Sequence, residues 1–275
     1  CVTSPGFWNE FRTRVKAINP EAYIVGEVWW DSTNYLQGDQ FDAVMNYIFT
    51  EPVIQFCAQE HLVRELTVTG LSYDPYPAID GEHFAIKLEK ALFKYDWQVV
   101  QAQLNLLDSH DTARLLSMAG EDKATVRLAT IILMTVPGAP SIYYGDEIGL
   151  PGKHDPDCRR TINWDNRETW DMDALAYHKQ LIGIRKSHAA LRRGTYKRLQ
   201  AGGMTFAFSR ELGDDKLIIA LNAGDKAIKL EVPVNGLVED STTLKALYGK
   251  GSVTVEGGIA KLNIPARDGL ILAAK

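Results

Sequence analysis

The sequence predicts an α/β chain in two parts: parallel βα units first, then a small antiparallel all-β domain, most simply a sandwich. Three observations carry that expectation. Helix-like and strand-like hydrophobic periods alternate through the first two thirds of the 275 residues, the pattern of a parallel sheet with crossover helices. Near residue 190 the pattern changes to short alternating segments separated by turn residues. Two of the early apolar runs end in acidic residues, Glu27 and Asp111, at the end of a strand where a parallel barrel presents its active rim. The expected partition is 1–190 and 191–275.

Each element follows from its local pattern. Residues 5–18 place Phe7, Phe11, Val15 and Ile18 at close to helical spacing, with Ser4-Pro5 as the start and Asn19-Pro20 as the stop. Residues 22–28 and 41–47 read as short apolar strands, the second following the turn-like Gly38-Asp39. A helix is expected over 51–66 and a loop over 69–81, which is rich in Gly, Pro and Asp. Residues 83–93 set Phe84, Leu88, Ala91 and Leu92 on one helical face. A strand over 102–107 and an apolar helix over 125–135 follow. Pro137-Gly138-Ala139-Pro140 ends that helix. Residues 141–144 read as a fourth, buried strand, and 173–187 as the last helix. The β-rich part is expected to use strands at 205–209, 216–221, 227–232, 252–255, 259–264 and 270–273. Turn residues such as Gly213-Asp214-Asp215 and Glu256-Gly257-Gly258 divide them.

Composition narrows the function. The chain is 45% hydrophobic and 24% charged, with a net charge of −5, ordinary for a soluble globular protein. Nucleic-acid and anionic-membrane partners want clustered Lys and Arg, and neither is expected. No apolar run reaches the length of a membrane span, and no signal-peptide pattern opens the chain. Three cysteines, Cys1, Cys57 and Cys158, are too few and too scattered for a disulfide framework. A reduced, cytoplasmic setting is therefore expected, with Cys57 packed inside a helix face. A chain beginning with Cys rather than Met reads as processed or as a fragment.

Glu27 closes the apolar run Ile24-Val25-Gly26 and is followed by Val28, Trp29 and Trp30. Desolvation by an apolar, aromatic setting disfavours a carboxylate, and a glutamic acid kept protonated can protonate a glycosidic oxygen as the bond breaks. The alternative is a surface Glu after a buried strand. Asp111 follows His110 at the end of Leu106-Leu107. An ionised Asp here could stabilise an oxocarbenium-like sugar, with His110 donating to a hydroxyl. A metal site or a loop ion pair would use the same two residues. Asn105 and Asp108 read as turn or capping residues, and Asp146 and Glu147 as acids that cap and orient loops. Asp155 and Arg159, four apart in one loop, could bind sugar hydroxyls or simply form a local ion pair. His61, His83, His154, His178 and His188 lack metal-ligand spacing. No phosphate-cradling glycine loop and no Gly-x-Ser-x-Gly elbow occurs in the 275 residues. No metal and no cofactor is expected.

At these residues the chain resembles the α-amylase family of glycoside hydrolases, within it the neopullulanase, cyclomaltodextrinase and maltogenic amylase group. The resemblance is carried, in order, by Gly26-Glu27-Val28-Trp29 and Phe41-Asp42-Ala43-Val44-Met45-Asn46-Tyr47. Leu106 to Arg114, Pro140 to Gly149 and Asp155 to Arg160 complete the set. It implies the C-terminal half of a (β/α)₈ barrel, strands five to eight, followed by that family's β-rich terminal domain. It implies retaining cleavage of α-glucosidic bonds in maltodextrins, cyclodextrins or pullulan. Glu27 then matches the general acid/base and Asp111 the transition-state-stabilising aspartate. His110 matches a substrate-binding histidine, Trp29 an aromatic on the leaving-group side, and Asp155 with Arg159 a pair that binds the non-reducing end.

One departure goes with the match. The family's nucleophilic Asp lies in a stretch resembling Gly-Phe-Arg-Leu-Asp, and the 275 residues contain none. Strands one to four of the barrel, with the third strand's histidine motif, are expected to be missing. The chain alone is expected to be an inactive hydrolase, with an α-glucan as ligand and either a second copy or an N-terminal half as protein partner. A non-catalytic glucan-binding role, or α-glucosidase or transglycosylase activity within the same family, is the alternative.

Overall fold

The computed structural model describes residues 6–68 and 77–274. Cys1, the expected helix start at Ser4-Pro5 and most of the loop expected over 69–81 lie outside the described residues.

The first part is an arc of four short parallel strands with helices on its outside. Helix α1, Phe7–Ile18, leads into β1, Val25–Gly26, and then β2, Ala43–Val44. Helix α2, Tyr47–Ala58, starts directly from β2. Helices α3, Gly81–Leu92, and α4, Trp97–Ala102, precede β3, Leu104–Asn105. The short α5, Leu115–Met118, and the longer α6, Lys123–Thr135, precede β4, Ala139–Pro140. Helices α7, Met172–Ser187, and α8, Ala189–Arg193, close this part. Strand β1 pairs in parallel with β2 and β3 with β4, while the parallel bridge between Met45 and Leu104 joins the two pairs.

Strands of two residues form few ladder bonds, and side chains supply more. Gln103 Oε1 accepts the Val44 N–H at 3.1 Å. Asn46 Nδ2 donates to Asn105 Oδ1 at 2.8 Å, and Asn105 Nδ2 donates to the Pro137 carbonyl at 2.8 Å. All three amides are buried, so each bond stands in place of water the interior excludes. Two glycines permit the close approaches. A Cβ on Gly26 would lie 2.4 Å from the Phe41 ring, and one on Gly138, at φ +115°, would lie 2.4 Å from Asn105 Nδ2.

Helix α1 is fastened to this arc by charge. Asp42 accepts from Arg12 at 2.8 Å, from Lys16 at 3.0 Å and from the Ile24 N–H at 2.8 Å. Burial alone would raise the Asp42 carboxyl, but these donors outweigh it and hold it below the usual range. Trp8 and Val15 of α1 pack with Ile24, Val28, Phe41 and Val44.

The second part is an antiparallel sandwich. Strands β5, Thr195–Gly202, β6, Thr205–Leu212, and β7, Asp215–Asn222, are followed by β8, Ile228–Pro233, and β9, Thr243–Tyr248. Strands β10, Ser252–Thr254, β11, Ile259–Ile264, and β12, Asp268–Ala274, complete it. The larger sheet has the order β10-β9-β12-β7-β6-β5, and β11 pairs with β8 as the second layer. The larger sheet is covered on both faces, which is why β6 and β7 are buried nearly throughout. Phe206, Phe208, Leu217, Ile219, Leu221 and Ile271 face the helices and join the main core with Phe56, Phe84 and Ile131. Ala207, Ile218, Ala220, Leu270 and Leu272 face the other way, against Leu230, Val232, Leu262 and Ile264 of β8 and β11. Strands β8 and β11 are covered on one face and alternate accordingly.

Several expectations need correction. The fourth strand is Ala139–Pro140, not 141–144. Only the Ser141 N–H continues the ladder, to the Asn105 carbonyl at 2.7 Å; the chain then turns so that Tyr143 and Tyr144 can enclose Arg114. The helix expected over 51–66 starts earlier, at Tyr47, and ends at Ala58, with 3₁₀ turns at Gln59–His61 and Arg64–Leu66. The strand expected over 102–107 is Leu104–Asn105, because Ala102 closes α4. Strands β5 and β9 were not foreseen. Strand β5 has mostly half-exposed positions and β9 mixes them with buried ones, which blurs the alternation that reveals a strand.

Arg210 ties the two parts together. It is fully buried with no ion pair among the described residues, and burial, reinforced by Arg185, pulls its guanidinium down to about 9. Its donors reach the carbonyls of Thr135, Leu191, Gly194 and Thr195, the ends of α6 and α8 and the start of β5. Arg210→Met removes these donors and strands buried carbonyls. It is expected to lower the unfolding free energy by roughly 2–4 kcal/mol in urea titration, whereas an exposed change such as Lys229→Met should leave it within about 0.5 kcal/mol.

Candidate active site

The carboxyl ends of β1 and β3 bring the two acids singled out in the sequence to one rim. Glu27 follows β1 directly. His110 and Asp111 lie in the turn between β3 and α5. Ligand-competent atoms of Glu27, His110 and Asp111 all lie within 4.8 Å of one another. His110 Nε2 lies 3.4 Å from Asp111 Oδ1. By spacing alone these three donors could also hold a divalent cation, and the acid–histidine chemistry argued from the sequence requires none.

The turn carrying Asp111 is tightly determined. Asp108 Oδ2 accepts the Leu115 N–H at 2.6 Å, closing the segment on itself. Within it the Ser109 N–H donates to Thr112 Oγ1 at 2.8 Å, and the Asp111 N–H donates to Ser109 Oγ at 3.1 Å. The Arg114 N–H donates to the Gly152 carbonyl at 2.9 Å. Asp108 thus performs the turn-closing role its position suggested.

The loop after β4 clamps the same turn. Arg159 Nε donates to the His110 carbonyl at 3.0 Å, and the Cys158 thiol donates to that carbonyl at 3.1 Å. Arg159 Nη2 reaches Asp111 Oδ1 at 3.0 Å, while its Nε pairs with Asp155 at 2.8 Å. Asp155 and Arg159 therefore do form the local pair, and Arg159 extends it to Asp111. Trp29 is only 8% exposed, its ring stacked on Tyr47 with centroids 3.7 Å apart. Its neighbour Trp30 is 61% exposed. A cleft of about 390 Å³ lies on the α2–α3 side of Trp29 and Tyr47, lined also by Trp30, Glu51, Lys87 and Thr112; Glu27, His110 and Asp111 do not line it.

Four residues of this site fall inside the motifs but were expected to have no catalytic or binding role: Tyr47, Ser109, Arg114 and Asp146. Tyr47 could have been found as the residue just past a strand end. Its phenol lies well above its usual value because it is buried, with the Glu27 charge adding to the effect against an opposing bond from Ser109. Arg114 is fully buried, and its guanidinium carbon lies 4.4 Å and 4.7 Å from the ring centres of Tyr143 and Tyr144. It donates to the Tyr144 carbonyl at 2.7 Å and to Asp146 at 3.3 Å. Asp146 does more than cap a loop: its largely buried carboxyl interacts with that of buried Asp108. Burial raises both carboxyls, Asp146 well above its usual value, because two adjacent acids cannot both ionise there despite Arg114.

The comparisons with known proteins give the family. Residues 3–171 match the α-amylase catalytic-domain model. The chain belongs to the α-amylase family. Residues 196–266 match the neopullulanase-like C-terminal domain. A cyclomaltodextrinase from a Bacillus species is 44% identical over 223 residues, covering 80% of this chain and 37% of that protein. Neopullulanase 2 of Thermoactinomyces vulgaris is 41% identical over 270 residues, covering 97% of this chain and 42% of its own length. Among solved structures, the debranching enzyme of Nostoc punctiforme superposes with a TM-score of 0.90 at 48% identity, covering 98% of this chain and 56% of that one. The chain thus spans about half the length, or less, of these relatives. Its four-strand arc is the C-terminal half of a (β/α)₈ barrel.

The Asp108–Asp146 pair gives a pH dependence of known sign. Free carboxyls in the unfolded chain titrate near ~4, whereas the folded pair keeps its proton longer. Its contribution to stability is complete below the unfolded value and is lost as pH rises through the folded one. Asp146→Asn removes that loss. Unfolding free energies measured from pH 4 to 8 are expected to fall less steeply in the variant; equal slopes would place the ionisation elsewhere.

Proposed function

We propose that this chain carries the acid/base and charge-stabilising part of a retaining glycoside hydrolase. Its substrates on this reading are α-glucosidic bonds of maltodextrins, cyclodextrins or pullulan. The observation that carries the reading is the convergence of Glu27, His110 and Asp111 within 4.8 Å at one rim. The names of two relatives, a cyclomaltodextrinase and a neopullulanase, suggest the substrate class.

On this reading Glu27 donates a proton to the glycosidic oxygen as the bond to the leaving sugar breaks, and later takes one from the attacking water. Asp111 faces the positive charge that develops on the sugar ring, and Arg159 and His110 fix its orientation. His110, through its exposed ring, donates to a sugar hydroxyl. Asp155 and Arg159 line the side where the non-reducing end would lie. Trp29 serves the leaving-group side from behind, as the support on which Tyr47 packs, and exposed Trp30 offers the sugar-facing ring. The carboxylate that forms the covalent intermediate comes, in this proposal, from a segment outside the 275 residues. The free thiols of Cys57 and Cys158 support a reducing, cytoplasmic setting.

Reconstitution tests the proposal. The purified chain is expected to release no product from a cyclic maltodextrin. Adding a nucleophile-bearing N-terminal half from the same family should restore turnover. In the mixture, Glu27→Gln and Asp111→Asn should each lower kcat by about 10²–10⁴-fold. Turnover by the chain alone that vanishes in Glu27→Gln would contradict the need for an outside nucleophile. A mixture in which neither substitution matters would contradict the site itself.

A further inference from the structure

Tyr47 touches the site from a third element, α2. Its Oη lies 3.2 Å from Glu27 Oε1 and 2.9 Å from Ser109 Oγ. Ser109 Oγ in turn accepts the Asp111 N–H at 3.1 Å. Three oxygens and one amide therefore run in series from the acid to the turn that carries Asp111. Tyr47 is 6% exposed and Ser109 3%, so bulk water does not compete for either hydroxyl. The Tyr47 ring lies flat on Trp29, 6° from parallel, which leaves its hydroxyl essentially one freedom, the direction of its proton.

Each hydroxyl has one proton to give and lone pairs to accept with. When Glu27 is ionised, the Tyr47 proton points to Oε1 and the Ser109 proton points to Tyr47 Oη. When Glu27 is protonated, its own O–H donates to Tyr47 Oη. The Tyr47 proton then turns to Ser109 Oγ, which accepts from both Tyr47 and Asp111. The same heavy-atom distances serve both states. We propose that Tyr47 and Ser109 form a reversible hydrogen-bond relay that holds the Glu27 carboxyl in one orientation through both of its protonation states. Tyr47 is then a positioning residue for an acid that must also act as a base. No proton leaves its oxygen; only the direction of two hydrogen bonds reverses. Among the described residues, His110 and Asp111 from the β3–α5 turn also face Glu27, with Arg159 held on Asp111 from the loop after β4. The purpose of the relay rests on the catalytic proposal above, but its existence does not.

The relay can be read without turnover. In the ¹³C-labelled chain the Glu27 carboxyl resonance is the one lost in Glu27→Gln. In Tyr47→Phe, which keeps the ring on Trp29, that resonance is expected to move by more than its linewidth at pH 7. Ser109→Ala, one step further along, should move it in the same direction by less. The Trp29 indole N–H resonance reports that packing is intact. A Glu27 resonance unmoved in both variants overturns the relay; if Tyr47→Phe fails to fold, Ser109→Ala decides alone. In the reconstituted enzyme, Tyr47→Phe should lower kcat by about tenfold with KM within about twofold, and a raised KM at unchanged kcat would overturn the positioning role. A wild-type mixture without turnover would count against the catalytic proposal, while the resonance would still judge the relay.

Discussion

The buried amides of Gln103, Asn46 and Asn105 set the register on which the rest of the site depends. The parallel strands are two residues long, too short for their own ladders to fix one alignment. Gln103 holds β2 against β3 through the Val44 N–H, and Asn46 and Asn105 bond across the same pair. Asn105 then reaches the Pro137 carbonyl ahead of β4. A slip of one residue would leave each of these polar atoms unpaired in the interior, at about 1–3 kcal/mol apiece. It would also turn Glu27 and the Asp111 turn to the wrong side, since alternate residues face opposite ways.

The helices transmit that register to the second part of the chain. Phe56 of α2 stacks on Phe84 of α3, with ring centres 4.6 Å apart, and Phe84 meets Phe206 of β6 edge-on at 5.0 Å. One apolar core therefore runs from the outside of the parallel arc into the sandwich. Arg210 and Arg185 fill the seam with charge that is satisfied by backbone carbonyls, most of them at helix ends. A helix C-terminus carries partial negative charge, so these ends are suited to a buried guanidinium.

Two pairs of acids lie close together in space, and their surroundings give them opposite tasks. Glu27 and Asp111 sit at the open rim with His110 and Arg159. Asp108, buried, and Asp146, largely buried, lie beneath it, where burial favours the neutral form and the pair acts as a structural joint. Arg114, between two tyrosine rings, connects that joint to the loop after β4. The environment of each carboxyl, more than its residue type, decides whether it is available for chemistry.

The sequence by itself determined the order of elements, the change of architecture near residue 190 and the two rim acids. Those features are local or periodic: an apolar run ending in Glu27, another ending at His110-Asp111, and alternating segments after Gly194. The motif match extended them to the α-amylase family with its β-rich terminal domain, and the family and fold comparisons agree. Tertiary structure alone decided the rest. Asp146 looked like a loop cap until the fold brought it against Asp108, 38 residues away by number (146 − 108). Tyr47 looked like the end of a strand until α2 began there and its hydroxyl met Glu27 and Ser109. Residues 141–144 looked like a strand because they are apolar, but the need to enclose Arg114 bent them out of the ladder. Periodicity reports which face of an element is buried; it carries no information about which distant polar atom will be waiting there, and that pairing is what shapes this site.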